Sequence, residues 1–239
     1  MCLMSDTDAI TSATAPFMAH PPLTDYPIFS TLDETERATL RGMATERSLR
    51  KHHFVYNQGD EARHVYFVAS GEVKLGNHGA DGREIIRNVL RPNAMFGQLA
   101  ISGEATRDGF AQSLSADTVV YQLPTAGLQT LMQGNFGLCQ LVLQNVTQQL
   151  QLAQHRLTSV VSLDARTRIV NFLKESVAQR GKRVGLEYLI RHSLTHQDIA
   201  NLTCTSRQTV TLVLNELRKA NLIYFNRGKI LVRDVAALA

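Results

Sequence analysis

The sequence predicts an α+β protein: a small N-terminal β-roll, one long helix, and a basic C-terminal domain. Three observations predict it. Short runs of β-branched and aromatic residues separated by turn signals fill residues 46–124. An apolar stripe in alternating steps of three and four then runs from Phe136 to Val160. Residues 164–239 carry 13 Lys and Arg against 6 Asp and Glu, whereas residues 1–163 carry 12 against 15.

The 239 residues, 44% hydrophobic and 19% charged, suffice for one large core or two modest ones. No apolar run approaches the roughly 18–20 residues of a spanning helix, so no membrane partner is expected. Residues 1–24 lack Lys, Arg and a continuous apolar block. They do not resemble a secretory signal and read as a mobile extension. Cys2, Cys139 and Cys204 are odd in number, far apart and without a CxxC pair. A disulfide framework and an all-cysteine zinc site both fail, no metal site is expected, and a cytoplasmic setting fits.

The elements follow in order. DETERATLRGMA, from Asp33, opens with acids that suit a helix N-terminus. HFVYN, HVYFVAS, EVKLG, EIIRNVL and TVVYQL read as strands, with turn signals at 58–60, 79–82, 91–93 and 102–104. Such spacing suits a small barrel or roll over 25–124. The segment 125–162 reads as a helix and hinge. Its Phe136, Cys139, Leu143, Val146, Leu150, Ala153, Leu157 and Val160 keep an a/d register among glutamines. A narrow stripe on a polar helix suits the seam of a parallel homodimer, the alternative being a helix laid across its own roll. DARTRIVNFLKESVAQR is a second helix ended by Gly181, and 163–239 reads as a separate, mostly helical domain.

Residues 195–219, THQDIANLTCTSRQTVTLVLNELRK, carry the strongest signal. A short helix capped by Thr195, a break at LTCTS, and a second helix from near Ser206 make a helix-turn-helix. Val210, Val213, Leu214 and Leu217 fall on the second helix's buried face. Its first residues, Ser206, Arg207 and Gln208, with Thr211 one turn on, are placed to meet base edges in double-stranded DNA. Arg207 suits guanine O6 and N7, and Gln208 suits adenine or cytosine. LIYFNRGKILV alternates about a turn presenting Arg227 and Lys229, a wing for phosphates, with Thr195 and His196 as further phosphate contacts.

Over about residues 25–235 the chain resembles the Crp/Fnr family of bacterial transcription regulators, the cyclic-AMP receptor protein and fumarate–nitrate regulator type. SRQTV with LNELRKANLI and the hairpin resembles its recognition helix and wing, LDARTRIVNFL its hinge and first DNA-domain helix, and DGREIIRNVLRPNAMFGQLAI its roll centre. The resemblance implies a cyclic-nucleotide-binding-type β-roll, a dimerisation helix and a winged helix-turn-helix. It also implies a homodimer on a near-palindromic site, and RNA polymerase as a further partner. The family's phosphate cassette falls on Gly97, Gln98 and Leu99, then Arg107 and Asp108, with Ala153 and Gln154 facing it from the long helix. Gln98 stands where nucleotide-binding members have a ribose-binding Glu, Asp108 where they have Ser or Thr, and Ala153 and Gln154 offer no hydroxyl. Asp108 would repel a phosphate and can pair with Arg107. Leu212 stands where an arginine that contacts DNA is usual.

These departures disfavour cyclic AMP, and no cofactor is expected. A single Cys2 cannot hold the iron–sulfur cluster of the family's oxygen sensors. A haem ligand would have to come from His52, His53, His64 or His78. His52 and His53 are expected on opposite faces of a strand, and His78 in a turn. His155 is expected to face outward, and Cys139 to be a small residue packed in the seam. No GxSxG, HExxH or P-loop is present, nor a cupin-type His-x-His, so no catalytic residue is expected and an enzyme is set aside. The remaining alternatives are a cyclic-nucleotide-gated activator, a haem or redox sensor, and a nucleotide-binding module without DNA.

Overall fold

The structure is a computed structural model, and it describes residues 20–239 apart from 80, 81, 83, 227 and 239. Most of the expected mobile extension therefore lies outside the described residues. Its last residues correct the expectation: Leu23 and Thr24 are buried, and the His20 ring meets the Tyr121 hydroxyl at 3.2 Å. Together with Tyr26 and Phe29 they seal one end of the roll, because Leu23 has apolar surface to bury there.

Helix α1 (Glu34–Met43) begins at Asp33, whose carboxylate accepts from the Glu36 amide at 2.8 Å. The Glu36 carboxylate accepts in return from the Asp33 amide at 2.9 Å, a reciprocal cap. Eight strands follow: β1 (Thr45–Leu49), β2 (Phe54–Tyr56), β3 (His64–Ser70), β4 (Val73–His78), β5 (Glu84–Leu90), β6 (Met95–Phe96), β7 (Phe110–Ser113) and β8 (Thr118–Pro124). They form two antiparallel sheets, ordered β1-β8-β3-β6 and β2-β7-β4-β5. The sheets close over Val68, Val73, Phe96 and Val120. A second cluster, with Phe67, Leu123, Leu128 and Leu138, packs the flanking helices onto the roll.

The helical stretch expected from Thr125 is two helices, α2 (Thr125–Gly134) and α3 (Phe136–Ser162). Asn135 breaks it with extended backbone and then caps α3, its side-chain oxygen accepting from the Leu138 amide at 3.0 Å. Its amide nitrogen donates to the Thr31 carbonyl at 3.1 Å and to Glu36 Oε2 at 2.9 Å.

The C-terminal part contains α4 (Ala165–Arg180), β9 (Lys182–Val184), β10 (Glu187–Arg191), α5 (His196–Leu202), α6 (Arg207–Lys219), β11 (Ile223–Asn226) and β12 (Lys229–Val232). Beside its three helices this part holds a four-stranded sheet ordered β11-β12-β10-β9, to which the wing belongs. The sequence hides β9 because all three of its residues are exposed and no alternation marks it.

This part rests against the roll. Val89 of β5 packs on the C-terminal core, and Leu114 lies within it. Lys74, 5% exposed, reaches Glu84 at 2.7 Å and Asp198 of α5 at 4.0 Å. Glu72 meets Arg91 at 3.6 Å and Arg180 at 3.5 Å.

Candidate nucleic-acid interface and effector pocket

Local chemistry builds the two short helices. The Thr195 hydroxyl accepts from the Asp198 amide at 3.1 Å, and Asp198 Oδ2 accepts from the Thr195 amide at 2.8 Å. A reciprocal cap of this kind fixes where α5 starts. The turn that follows holds Cys204 at φ 50°, and the Thr203 hydroxyl donates back to the Ile199 carbonyl at 2.7 Å. Arg168 of α4 clamps that turn, donating to the carbonyls of Thr203 (2.8 Å), Cys204 (2.9 Å) and Leu163 (2.6 Å). Sequence reasoning missed Arg168 because its partners in the turn lie more than thirty residues away and leave no local pattern.

Helix α6 buries Val210, Val213, Leu214 and Leu217, as its spacing predicts. Its opposite side carries Gln208 and Leu212, and Arg207 stands at its first turn on the flank near Leu214, all three exposed. The other two predicted base contacts are differently placed. Ser206 is the cap residue, its hydroxyl accepting from the Thr209 amide at 3.0 Å. The Thr211 hydroxyl donates to the Arg207 carbonyl at 2.9 Å and meets His196 Nδ1 at 3.0 Å. Burial, and then the Arg207 charge, hold the His196 pKa below its ordinary value. A neutral ring can give a phosphate one N–H but no charge. Thr195 and Lys229 are exposed near this edge, and Arg227 lies outside the described residues.

All seven predicted pocket residues line one cavity of about 1190 Å³ between the roll, α3 and α4. Arg107, however, is 3% exposed and turned inward. It donates to the Gly97 carbonyl at 2.9 Å and to the His64 carbonyl, and lies 4.5 Å above the Tyr56 ring. Its Nε is buried with no hydrogen-bond partner among the described residues. Gly97 has φ 73°, and a Cβ there would come within 3.0 Å of the Arg107 guanidinium, so glycine is required twice over. Asp108 does not pair with Arg107, contrary to expectation. Arg87 of β5 takes it in a fork at 2.6 and 3.2 Å. Gln98 donates to Gln149 of α3, and Gln149 donates to the Met95 carbonyl at 3.2 Å, which ties the cassette to the long helix. Burial pushes the Tyr56 phenol up to about 12 despite the nearby Arg107 charge. Leu99, Ala153 and Gln154 are exposed.

Two histidine expectations need correction. His52 is in a left-handed turn at φ 66° before β2, so His52 and His53 do not alternate along a strand. His78 ends β4, its ring 5.0 Å from Phe110. Burial and Arg107 lower the His64 pKa, and His155 is exposed on α3.

On α3, Leu138 and Val142 face the roll and are buried. The other face leaves Phe136 76%, Leu143 67%, Leu150 57% and Leu157 68% exposed, with Val146, Ala153 and Val160 exposed among them. The helix thus packs one face on the roll and leaves the predicted stripe exposed on the other. Cys139 is half-buried, its thiol donating to the Met132 carbonyl at 3.0 Å. No helix among the described residues is long and apolar enough to cross a membrane.

Comparison with known proteins agrees with this geometry. Residues 46–135 match the model of the cyclic nucleotide-binding domain, and residues 167–239 that of the Crp-like helix-turn-helix domain. The chain is 24% identical over 212 residues to the CRP-like cAMP-activated global transcriptional regulator of Mycobacterium tuberculosis, covering 89% of this chain and 94% of that one. It is 28% identical over 186 residues to the global nitrogen regulator of Synechocystis, covering 77% and 83%. Among solved structures, FixK2 from Bradyrhizobium japonicum superposes with a TM-score of 0.73 at 22% identity, covering 82% of this chain and 95% of that one. A CooA mutant from Carboxydothermus hydrogenoformans gives 0.73 at 20% identity, covering 91% and 95%.

Proposed function

Because the chain belongs to the Crp/Fnr family of bacterial transcription regulators, with a Crp-like DNA-binding helix-turn-helix, we propose that it reads a near-palindromic DNA site as a homodimer without needing cyclic AMP. The observation that carries this reading is a contrast between two arginines. Arg207 stands exposed at the start of α6, whereas Arg107 is spent inside the protein on two backbone carbonyls. Pulling Arg107 out to meet a phosphate would leave the Gly97 and His64 carbonyls unpaired, at about 1–3 kcal/mol each. Asp108, which stands where a phosphate-binding hydroxyl would be needed, is occupied by Arg87 and has no proton to donate to an anion. The dimer reading rests on the apolar face of α3, which nothing among the described residues of a single copy covers. DNA and a second copy are the partners, RNA polymerase is the further one this reading expects, and the setting is the cytoplasm.

Titration of a fluorescent palindromic duplex, followed by anisotropy with and without cyclic AMP, tests the proposal. Tight binding indifferent to nucleotide is expected. Arg207→Ala is expected to weaken specific binding by about 1–3 kcal/mol per reading helix and to relax preference at one G·C pair. Unchanged binding would remove Arg207 from the readout. Cyclic-nucleotide gating is the second reading, favoured by the large cavity beside Gln98 and Arg107 and by the name of the mycobacterial relative. Binding that occurs only with cyclic AMP would establish it and overturn the first.

A further inference from the structure

Helix α6 presents a face opposite its core on which one large apolar side chain stands among polar ones. With about 100° between successive residues, Gln208 and Leu212 lie about 40° apart on that side. They point away from Val210, Val213, Leu214 and Leu217, which the domain core covers. Leu212 is 60% exposed. One turn further on, Glu216 faces Arg166 at 3.9 Å, so negative charge begins where the Leu212 position ends. On the other flank Thr211 is held by His196. Asn215 and Lys219 continue the outward face farther along, and the exposed groups of the first two turns are Arg207, Gln208 and Leu212, two polar and one apolar.

Each has one natural complement on the major-groove edge. Guanine presents two acceptors and adenine an acceptor and a donor, while the only apolar group there is the thymine C5 methyl. We propose that Leu212 is a specificity residue that packs on a thymine methyl, so that each half-site requires a T·A pair on the Gln208 side of the G·C pair read by Arg207. The inference rests on the DNA-reading function proposed above. It adds that Leu212 selects sequence through a single methyl group and contributes nothing to phosphate attraction. Burying one methyl is worth about a fourfold change in affinity per contact.

The test uses the full chain and a pool of randomised duplexes from which bound sequences are selected. Each thymine of the selected half-site is then replaced by deoxyuridine, which removes the methyl and leaves every hydrogen-bonding group in place. One replacement in each of the two half-sites is expected to weaken wild-type binding about sixteenfold, about fourfold per contact, and to leave Leu212→Ala unaffected. Leu212→Ala itself is expected to bind about fourfold more weakly per half-site, with an unchanged slope of affinity against salt. Because the side chain lies outside the core, the variant is expected to fold, and circular dichroism checks this. A selected site without that thymine, or deoxyuridine effects equal in both proteins, overturns the Leu212 contact while leaving DNA reading intact. A pool that never converges overturns the DNA reading itself, and the Leu212 contact with it.

Discussion

Arg107 and the Arg87–Asp108 pair line the same cavity, yet they are worth very different amounts. Arg107 is buried, and its removal leaves two carbonyls without their donor. Arg107→Leu is expected to cost about 2–4 kcal/mol in urea unfolding, with or without nucleotide. The Arg87–Asp108 fork is partly exposed at both ends, so a double-mutant cycle is expected to find at most about 1 kcal/mol of coupling. Histidines set the pH response. Burial and then Arg180 lower the His192 pKa, and burial and then Arg207 lower that of His196. As pH falls through about 6.5 the unfolded chain takes up protons before the folded one does, so stability declines. The urea midpoint is expected to be lower at pH 5.5 than at pH 7.5, and the difference to shrink in His192→Asn. A flat profile in the wild type would contradict the assignment.

At the scale of elements, α3 has two unlike faces. Leu138 and Val142 hold it to the roll, while Leu150 points away at 57% exposure. Leu150→Lys is therefore expected to leave the unfolding midpoint of the isolated chain nearly unchanged and to produce monomers in sedimentation velocity. An intact dimer would place the interface elsewhere. The same helix shows what could be read in the sequence. Its exposed apolar stripe was legible because the apolar positions keep register, and α4 was legible because Asp164 and Gly181 mark its two ends. The roll was visible in HVYFVAS and EIIRNVL, which match β3 and β5 residue for residue. Strand β1, TERSL, was not visible, since one buried leucine makes no alternation, and β6 has only two residues. In the pocket, the residue types were legible but not their directions. Nothing local to Arg107 says that it turns toward carbonyls ten and forty-three positions away.

For the molecule as a whole, the contact between roll and DNA-binding part is ionic as well as apolar. Lys74 is nearly buried and bridges Glu84 of the roll to Asp198 of α5, while Glu72 lies between Arg91 and Arg180. Removing one partner of such a set leaves the others uncompensated. Lys74→Ala is expected to speed amide hydrogen exchange in β5 and α5 together while sparing α1 and β1. Faster exchange in the roll alone would mean that the two parts are not coupled through Lys74. The attachment at the far end of α3 is of another kind. Asn135 fastens the first turn of that helix to Thr31 and to Glu36, the same carboxylate that caps α1. The helix is thus a lever with a fixed fulcrum. Its 27 residues span about 40 Å, so a tilt of about 5° about Asn135 displaces the Ser162 end by about 3.5 Å. That is close to the rise of one base pair, about 3.4 Å. What holds the tip against so small a swing is the set of ties farther along, Gln149 to Gln98 and Met95 and the Lys74 and Glu72 ion pairs.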